Sequence, residues 1–186
     1  TSSFFKCDSL EKFDLAEKAN YVLDEKGVLY NKKMTYLIAL PGVFQGVCNV
    51  PDTVVNIGPD ANNTPFRFIK GVTAIHVDKN NTKYSSTEEG LLYNKTQTKL
   101  IHCPKSYSGS VQIPATVTSY VTDAFTDCYG LTGIFVEEGN EKYSSTASGL
   151  LCNQNTTKVI LCPAGFTGTC VIPASVTDCP ISAFSQ

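Results

Sequence analysis

Apolar residues recur along this chain at the spacing of short β-strands. In the segment 131–136 the first, fourth and sixth residues are apolar, which predicts a strand with those three side chains in a core. In the segment 149–163 two apolar runs flank a short polar stretch, which predicts a β-hairpin. A short apolar run at 170–172 predicts a further strand. Abundant Gly, Pro, Ser, Thr and Asn are typical of many turns between such strands.

The pattern is repeated along the chain. Tyr84 and Tyr143 are 143 − 84 = 59 residues apart, and the same offset relates many other positions without a gap. A more diverged earlier copy aligns at 84 − 21 = 63, with four extra residues between Pro51 and Val77. The pairs that match at 59 are Gly90 and Gly149, Cys103 and Cys162, Gly109 and Gly168, Ile113 and Ile172, and Phe125 and Phe184, while Phe4, Cys7 and Leu10 match Phe125, Cys128 and Leu131 at 125 − 4 = 121.

Internal repetition of this kind indicates a solenoid, in which each unit packs only on its neighbours. We expect a single solenoid fragment over 1–186, with units at about 1–16 (partial), 17–76, 77–135 and 136–186 (partial). Each unit has two coils, one of them enlarged by a hairpin. The hairpins, at 27–40, 90–103 and 149–162, are expected outside the main sheet because their strand direction does not suit a parallel ladder.

One parallel sheet is expected to run through all units. Its strands are predicted near 10–15, 47–50, 72–77, 111–113, 131–136 and 170–172. The residues predicted for the core are Leu131, Ile134, Val136, Ile113, Ile172 and Phe125.

One repeat motif resembles a known family. Ile113-Pro114 is followed by Val117-Thr118, Ala124-Phe125, Cys128 and Leu131-Thr132, which is similar to the I-P-x-x-V-T, A-F-x-x-C and L-T pattern of BspA-like leucine-rich repeats. The N-x-x-Y-S-S hairpin insert also looks like that family, although the A-F-x-x-C element is blurred at Pro59 to Lys70. The resemblance implies a leucine-rich-repeat solenoid, mostly β, with an irregular or 3₁₀ convex side and a parallel sheet with β-hairpin insertions. It further implies a surface or secreted protein of bacteria or protists, associated with adhesion and protein binding.

Charge and composition narrow the classes of function. The formal net charge is −2 and the pI about 5.6, which argues against a nucleic-acid partner because phosphate binding needs clustered cations. No apolar run approaches the roughly 18 residues of a membrane span. No signal peptide is present, so any leader is expected upstream of Thr1 or removed. Four N-x-S/T sequons, at Asn62, Asn80, Asn94 and Asn155, weakly favour secretion, and the last two are expected to be accessible at hairpin turns.

The eight cysteines admit two interpretations, a disulfide framework or buried thiols. Every cysteine position carries an apolar residue in another unit, which is typical of cysteine packing as a small apolar side chain. Few disulfides are therefore expected, and none between equivalent positions two coils apart, roughly 10 Å at strand spacing. The excluded pairs are Cys7 with Cys128, Cys48 with Cys170, and Cys103 with Cys162.

Catalytic chemistry has little support. The two histidines, His76 and His102, occupy unrelated repeat positions, so neither a Cys-His nor a Ser-His pair is indicated. The acidic pairs 88–89 and 137–138 are interpreted as solvated turns, and Ser85-Ser86 as turn chemistry. No C-x-x-C zinc spacing and no phosphate-binding glycine motif occur. We therefore expect neither an enzyme nor a cofactor or metal site.

The outward positions of the strands are the candidate binding surface, because solenoids bind partners through extended ladders of side chains. A protein ligand from a host or the extracellular matrix is the preferred interpretation. A glycan is the weaker alternative, since Trp and Tyr stacking platforms are missing there, and each residue taken singly could be an ordinary solvated position. The candidate residues are Asp14, His76, Asp78, Gln112, Phe135, Glu137 and Val171.

Two functions remain open at this point. The first is a non-catalytic protein-binding or adhesion module at the cell surface or in secreted form. The second is a structural spacer or self-assembling array segment of a larger surface protein. Phe4 and Phe184 occupy the same position in the repeat, and no polar capping element is seen at either end. Both terminal coils are therefore expected to be prone to self-association. A longer parent protein and head-to-tail self-association both explain such ends.

Overall fold

The computed structural model describes residues 7–60, 63–121 and 123–184, which form a mostly-β solenoid of about four turns. Helical structure within these residues is limited to two short 3₁₀ segments, Pro65–Phe68 and Ile181–Phe184. The strands are β1 Tyr21–Leu23, β2 Leu29–Asn31, β3 Tyr36–Ala39, β4 Gly46–Val50, β5 Asn56–Ile57, β6 Val72–Val77, β7 Tyr84–Ser86, β8 Leu92–Asn94, β9 Lys99–His102, β10 Gly109–Ile113, β11 Ser119–Tyr120, β12 Leu131–Val136, β13 Tyr143–Ser145, β14 Leu151–Asn153 and β15 Val159–Leu161.

Parallel pairing joins the two coils of a unit. Strand β4 pairs with β6, and the equivalent β10 pairs with β12, each with a shift of register near its first residue. Cys48 lies opposite Ile75 and Val111 opposite Ile134, and all four side chains are buried. Because side chains alternate between the two faces of a strand, the intervening residues point away from the core.

The predicted hairpins are confirmed. Strands β2–β3, β8–β9 and β14–β15 are antiparallel, with positive-φ residues Met34, Gln97 and Thr156 at their tips. Each hairpin gains a third strand, β1, β7 or β13, which pairs antiparallel with its first strand. The interpretation of Ser85-Ser86 as a turn is therefore wrong, because these residues belong to a strand. Strands β5 and β11 extend two of these sheets by parallel pairing with β3 and β9.

Buried asparagines lock consecutive units together. The side-chain amide of Asn81 donates to the carbonyls of Pro51 and Val54, both at 2.8 Å, while its Oδ1 accepts the N–H groups of Lys83 and Tyr84. Asn140 makes the same four hydrogen bonds one unit later. These bonds satisfy carbonyls of one unit with a side chain of the next, which explains why Asn recurs three residues before each Y-S-S motif.

The serines of the Y-S-S motif also bond between elements. The Ser85 hydroxyl donates to the carbonyl of Asn94, and the Ser86 hydroxyl accepts the N–H of Val77 at 3.0 Å. The second serine thus bonds to the edge of β6 that faces away from β4. Ser144 and Ser145 make the equivalent bonds in the next unit.

Glycine permits close contact between a hairpin and a solenoid strand. Gly90 has φ +86°, and its carbonyl accepts the N–H of Ile75 at 3.0 Å. A Cβ at this position would lie 2.4 Å from the Cβ of Ala74, a severe overlap, so a larger residue would push the hairpin off β6. Gly149 has the same role against Gly133 and Ile134.

The expected continuous six-stranded parallel sheet is wrong in three places. The free edge of β6 is bonded by Ser86 and Gly90, so β10 cannot pair with it and two separate parallel pairs result. The segments 10–15 and 170–172 are not strands. Among the described residues, segment 170–172 has no partner like the one that β12 gives to β10, and segment 10–15 has none like the one that β4 gives to β6.

The core is one large cluster that runs through the units, with a small second cluster in the last unit. Leu131, Ile134, Ile113 and Phe125 are buried as predicted, and Val136 is half-buried against them. Ile172 is wrong as a core residue, since it is 41% exposed. In the blurred segment 59–70 the 3₁₀ turn supplies the fully buried Phe66 at the position of Phe125, and Ile69 at that of Cys128.

Candidate binding face

Two cross-strand pairs of side chains lie on the outer faces of the two parallel strand pairs, and we call these four residues together the outer row: Asn49, His76, Gln112 and Phe135. Asn49 on β4 lies opposite His76 on β6, and Gln112 on β10 lies opposite Phe135 on β12. Asn49, His76 and Gln112 are exposed. The structure thus places three of the seven predicted residues in these two cross-strand pairs and adds Asn49, which equivalence to Gln112 could have selected.

Phe135 is less available than the sequence suggested. Its ring lies across two glycines: a Cβ on Gly133 would be 2.9 Å from Cε2, and one on Gly149 would be 3.3 Å from Cζ. The side chain is consequently half-buried. It offers an apolar edge beside Gln112 and not a fully exposed ring.

Asp78 and Glu137 lie one residue beyond β6 and β12, at the rim of the outer row. Both are exposed, yet each accepts a backbone hydrogen bond: Asp78 Oδ1 from Asn80 N–H at 2.8 Å, and Glu137 Oε2 from Ala115 N–H at 2.9 Å. These carboxylates stabilise turns and also place negative charge beside the row.

Asp14 and Val171 do not join the row. Both are exposed, but the segments around them are not strands.

One cation near the outer row was not predicted from the sequence. Lys26 Nζ donates to the carbonyl of Val47 at the edge of β4 at 2.6 Å. No periodicity marks Lys26, because it lies in a turn between β1 and β2.

The polar members of the outer row are not used to hold the fold. The side chains of Asn49, His76 and Gln112 make no hydrogen bond within the described part of the chain, in contrast to Asn81, Asn140 and the motif serines. The polar residues Asn81, Asn140 and the motif serines, which are repeated between units, are thus structural, whereas the polar residues on the outer face differ between units. Such unpaired, exposed groups can bond to a partner without first breaking an internal contact.

The titratable groups of the interior are shielded from solvent. Burial lowers the pKa of His102 to about 3, with a smaller contribution from Lys105, and the ring stacks on Phe66 with centroids 5.9 Å apart. Burial raises the pKa of Cys48 to about 12, with a further contribution from Asp24. Among the described residues no group of three or more His, Cys, Asp or Glu side chains is arranged to hold a metal ion.

The cysteines are buried less uniformly than the apolar-substitution argument predicted. All eight are thiols in the structure, and whether few of them form disulfides stays a prediction. Those that are not fully buried lie towards the ends of the described chain. Cys48, Cys103, Cys128, Cys152 and Cys162 are buried, Cys170 is half-buried, and Cys7 and Cys179 are exposed.

The sequons differ in accessibility. Asn80 and Asn155 are exposed. Asn94 is half-buried and its amide donates to Thr98 Oγ1 at 2.9 Å, so it is less accessible than Asn155. Asn62 lies outside the described residues. In the described part of the chain no helix has the length and apolar character needed to cross a membrane.

The paired parallel strands, the short 3₁₀ segments and the repeated units define a solenoid of the leucine-rich-repeat type. Two solved structures are similar in fold. The pneumococcal vaccine antigen PcpA is 21% identical with a TM-score of 0.45 over 59% of this chain, and a leucine-rich repeat protein from Eubacterium ventriosum ATCC 27560 is 18% identical with a TM-score of 0.43 over 77%. This chain spans 25% and 37% of their respective lengths.

At these scores the fold assignment rests on the chain's own strand pairing. No protein-family model and no curated protein matches the chain. The finer resemblance to BspA-like repeats therefore stays a prediction.

Proposed function

We propose that this chain is a non-catalytic protein-recognition module, at the cell surface or secreted, that binds its partner through the outer row. The observation that carries the proposal is the exposure of Asn49, His76 and Gln112 without internal hydrogen bonds, on strands whose inner faces are fully packed. A rigid backbone beneath unpaired polar groups lowers the entropic cost of binding.

The chemistry of the row suits a protein partner. Amide and imidazole groups lie beside the apolar edge of Phe135, and the carboxylates of Asp78 and Glu137 flank the row. This arrangement matches a protein epitope with a polar centre and nearby cations, since complementary charges at a rim steer association. The outer row contains no Trp or Tyr, so a glycan is the weaker alternative.

The test is binding of the chain to a panel of purified extracellular-matrix and host cell-surface proteins by surface plasmon resonance. For any protein that binds, we expect His76→Ala combined with Gln112→Ala to weaken the affinity roughly ten-fold or more, because central contacts each contribute on the order of 1–2 kcal/mol. The matched control is Lys33→Ala combined with Gln154→Ala, which removes two exposed side chains at hairpin tips. Equal loss in both double variants would contradict the proposal.

A second function, self-assembly into an array, is favoured by a separate observation. Val171, Ile172, Ile181 and Phe184 are 61%, 41%, 88% and 48% exposed and form an apolar end to the solenoid. In the preceding unit, strand β12 covers the equivalent of Ile172. The segment 10–15 matches β12 in sequence, so a second copy of the chain is the occupant we propose.

Light scattering over a concentration series tests this second function. Self-association predicts a mass that rises with concentration and that Ile172→Glu returns to the monomer value. Gln154→Glu, an exposed substitution away from this end, is the control. A monomer at every concentration would rule out assembly by this face.

A further inference from the structure

Two buried thiols from consecutive coils meet inside the second unit. Cys103 directly follows β9, and its N–H donates to the carbonyl of Ala124 at 2.9 Å. That bond places the turn containing Cys128 against the end of β9. The Cys128 Sγ is 3.6 Å from the Cys103 carbonyl oxygen and 3.8 Å from that of Pro104, which places its thiol against the backbone of Cys103. Both side chains are fully buried.

The two positions change together between units. In the first unit the equivalents of Cys103 and Cys128 are Leu40 and Ile69, both buried aliphatic residues. One unit therefore has two aliphatic side chains here and the next has two cysteines. Packing as small apolar groups explains each cysteine singly, but it gives no reason for both to change in the same unit.

Cys152, Cys179 and Cys48 are less well placed. Cys152 lies opposite Val159, whose N–H bonds to Asp178 on the far side, so Cys179 is two strands away, roughly 10 Å at strand spacing. That distance exceeds what a disulfide spans. The Cys48 thiol donates its hydrogen bond to the carbonyl of its neighbour, Asn49.

We propose that Cys103 and Cys128 form a disulfide that fastens two consecutive coils of the second unit. The reaction is thiol–disulfide exchange with a low-molecular-weight disulfide such as oxidised glutathione. One cysteine thiolate attacks it and releases one reduced glutathione. The second thiolate then attacks the mixed disulfide, forms the Sγ–Sγ bond and releases the second. Two protein thiols are oxidised and one glutathione disulfide is reduced to two thiols.

The burial of the pair determines when the bond forms and how long it lasts. The neighbouring Cys128 thiol and burial both raise the pKa of Cys103, so little thiolate exists in the folded chain. The exchange therefore proceeds during folding or local opening. Once formed, the bond is shielded from reductants, as expected for a structural disulfide.

The test is peptide mapping after folding in a glutathione redox buffer. The protein is alkylated in denaturant without reductant and digested with trypsin, which separates the two cysteines into peptides 100–105 and 106–142, each with a single cysteine. We expect these peptides to be joined, with a mass lower by two hydrogens than their sum. Two alkylated thiols, or a link from either cysteine to another one, would overturn the proposal.

A second measurement guards against variants that fail to fold. The double variant Cys103→Leu with Cys128→Ile installs the pair that the first unit carries. We expect reductant to lower the Tm of the wild-type chain by roughly 5–10 °C, since the cross-link closes a loop of about 25 residues. The double variant should show no such fall, whereas Cys48→Val, the residue of the next unit at that position, should keep it. An equal fall in the double variant would also overturn the proposal.

Discussion

The second unit, 77–135, and the last unit, 136–184, share most of their motifs but differ in completeness. Ile113 and Phe125 are 3% and 2% exposed, whereas their equivalents Ile172 and Phe184 are 41% and 48% exposed. Strand β10 pairs along its length with β12, but 170–172 is not a strand. Strand β11 is reduced in the last unit to a single bridge between Lys158 and Asp178.

The difference shows that a coil of this solenoid acquires its strands and its core from the coil that follows. Strand β12 supplies the hydrogen-bond partners of β10, and Asn140 satisfies the carbonyls of Pro114 and Val117. The same sequence motif without these contacts stays extended and exposed. Stability in such repeats is a sum of units and nearest-neighbour interfaces, so equivalent substitutions should have unequal effects in the two units.

The largest difference is expected for the equivalent phenylalanines. Phe125→Ala should lower the free energy of unfolding by about 3–5 kcal/mol, because it leaves a cavity in the main core. Phe184→Ala should cost less than about 1 kcal/mol, because half of that side chain is already in water. Urea unfolding of the two variants measures both values. Similar losses would mean that the last unit is as well packed as the second.

The next effect concerns the pH dependence of stability, because the second unit has His102 at the position where the last unit has Leu161. The folded-state pKa of His102, about 3, lies below the value near 6.5 of an unfolded histidine, so between these values the unfolded chain binds the extra proton. The contribution of His102 to the free energy of unfolding is therefore at its full value above pH 6.5. It falls as the pH is lowered towards 3, by up to about 1.4 kcal/mol per pH unit.

The measurement is urea unfolding between pH 7 and pH 4.5. His102→Leu, which copies the last unit, should remove this part of the pH dependence. If the variant has the same slope as the wild type, the imidazole is not held neutral in the folded chain.

A smaller effect is expected at the joint between the two units. Asn140→Ala should cost about 2 kcal/mol, because it leaves the carbonyls of Pro114 and Val117 and the N–H groups of Lys142 and Tyr143 without their partner. Hydrogen exchange of these two amides should accelerate. Asn155→Ala, on an exposed residue of the last unit, is the control and should change stability by less than about 0.5 kcal/mol. A loss in the control equal to that in Asn140→Ala would contradict the interpretation.

The repeat, the hairpins and most of the core could be predicted from the sequence, because offset and alternation specify which residues face inward. The third strand of each hairpin sheet could not. Tyr84–Ser86 contains two serines and no apolar alternation, and its strand form follows from pairing with β8. The interruption of the parallel sheet was equally hidden, since it depends on the Ser86 hydroxyl reaching the edge of β6.

For the candidate face, alternation identified the outward positions but not their surroundings. Phe135 was correctly placed on the outer side, yet its burial depends on two glycines, Gly133 and Gly149, that are distant in sequence. Asp78 and Glu137 were likewise placed at the surface without any sign that they bond to turns. Contacts between separate coils decide these details, and they are not encoded in local periodicity.

The smallest effect on stability, and the sharpest contrast in accessibility, is expected for the sequons of the two hairpins. Asn94 lies where Asn153 lies in the last unit, and its Oδ1 accepts the N–H of Lys99 while its amide donates to Thr98. Asn155 is two positions further along, exposed at the hairpin tip. In a eukaryotic secretory host we expect a glycan on Asn155 and none on Asn94, because a glycan on Asn94 would break the hydrogen bonds that close the turn.

Glycopeptide mass spectrometry of the folded, secreted protein measures the occupancy of both sequons. Asn155→Gln should remove one glycan with little change in Tm, whereas Asn94→Gln should leave the glycan count unchanged and lower the Tm. A glycan on Asn94 in folded protein would show that this turn opens readily, and that the second unit is less rigid around its hairpin than its hydrogen bonds indicate.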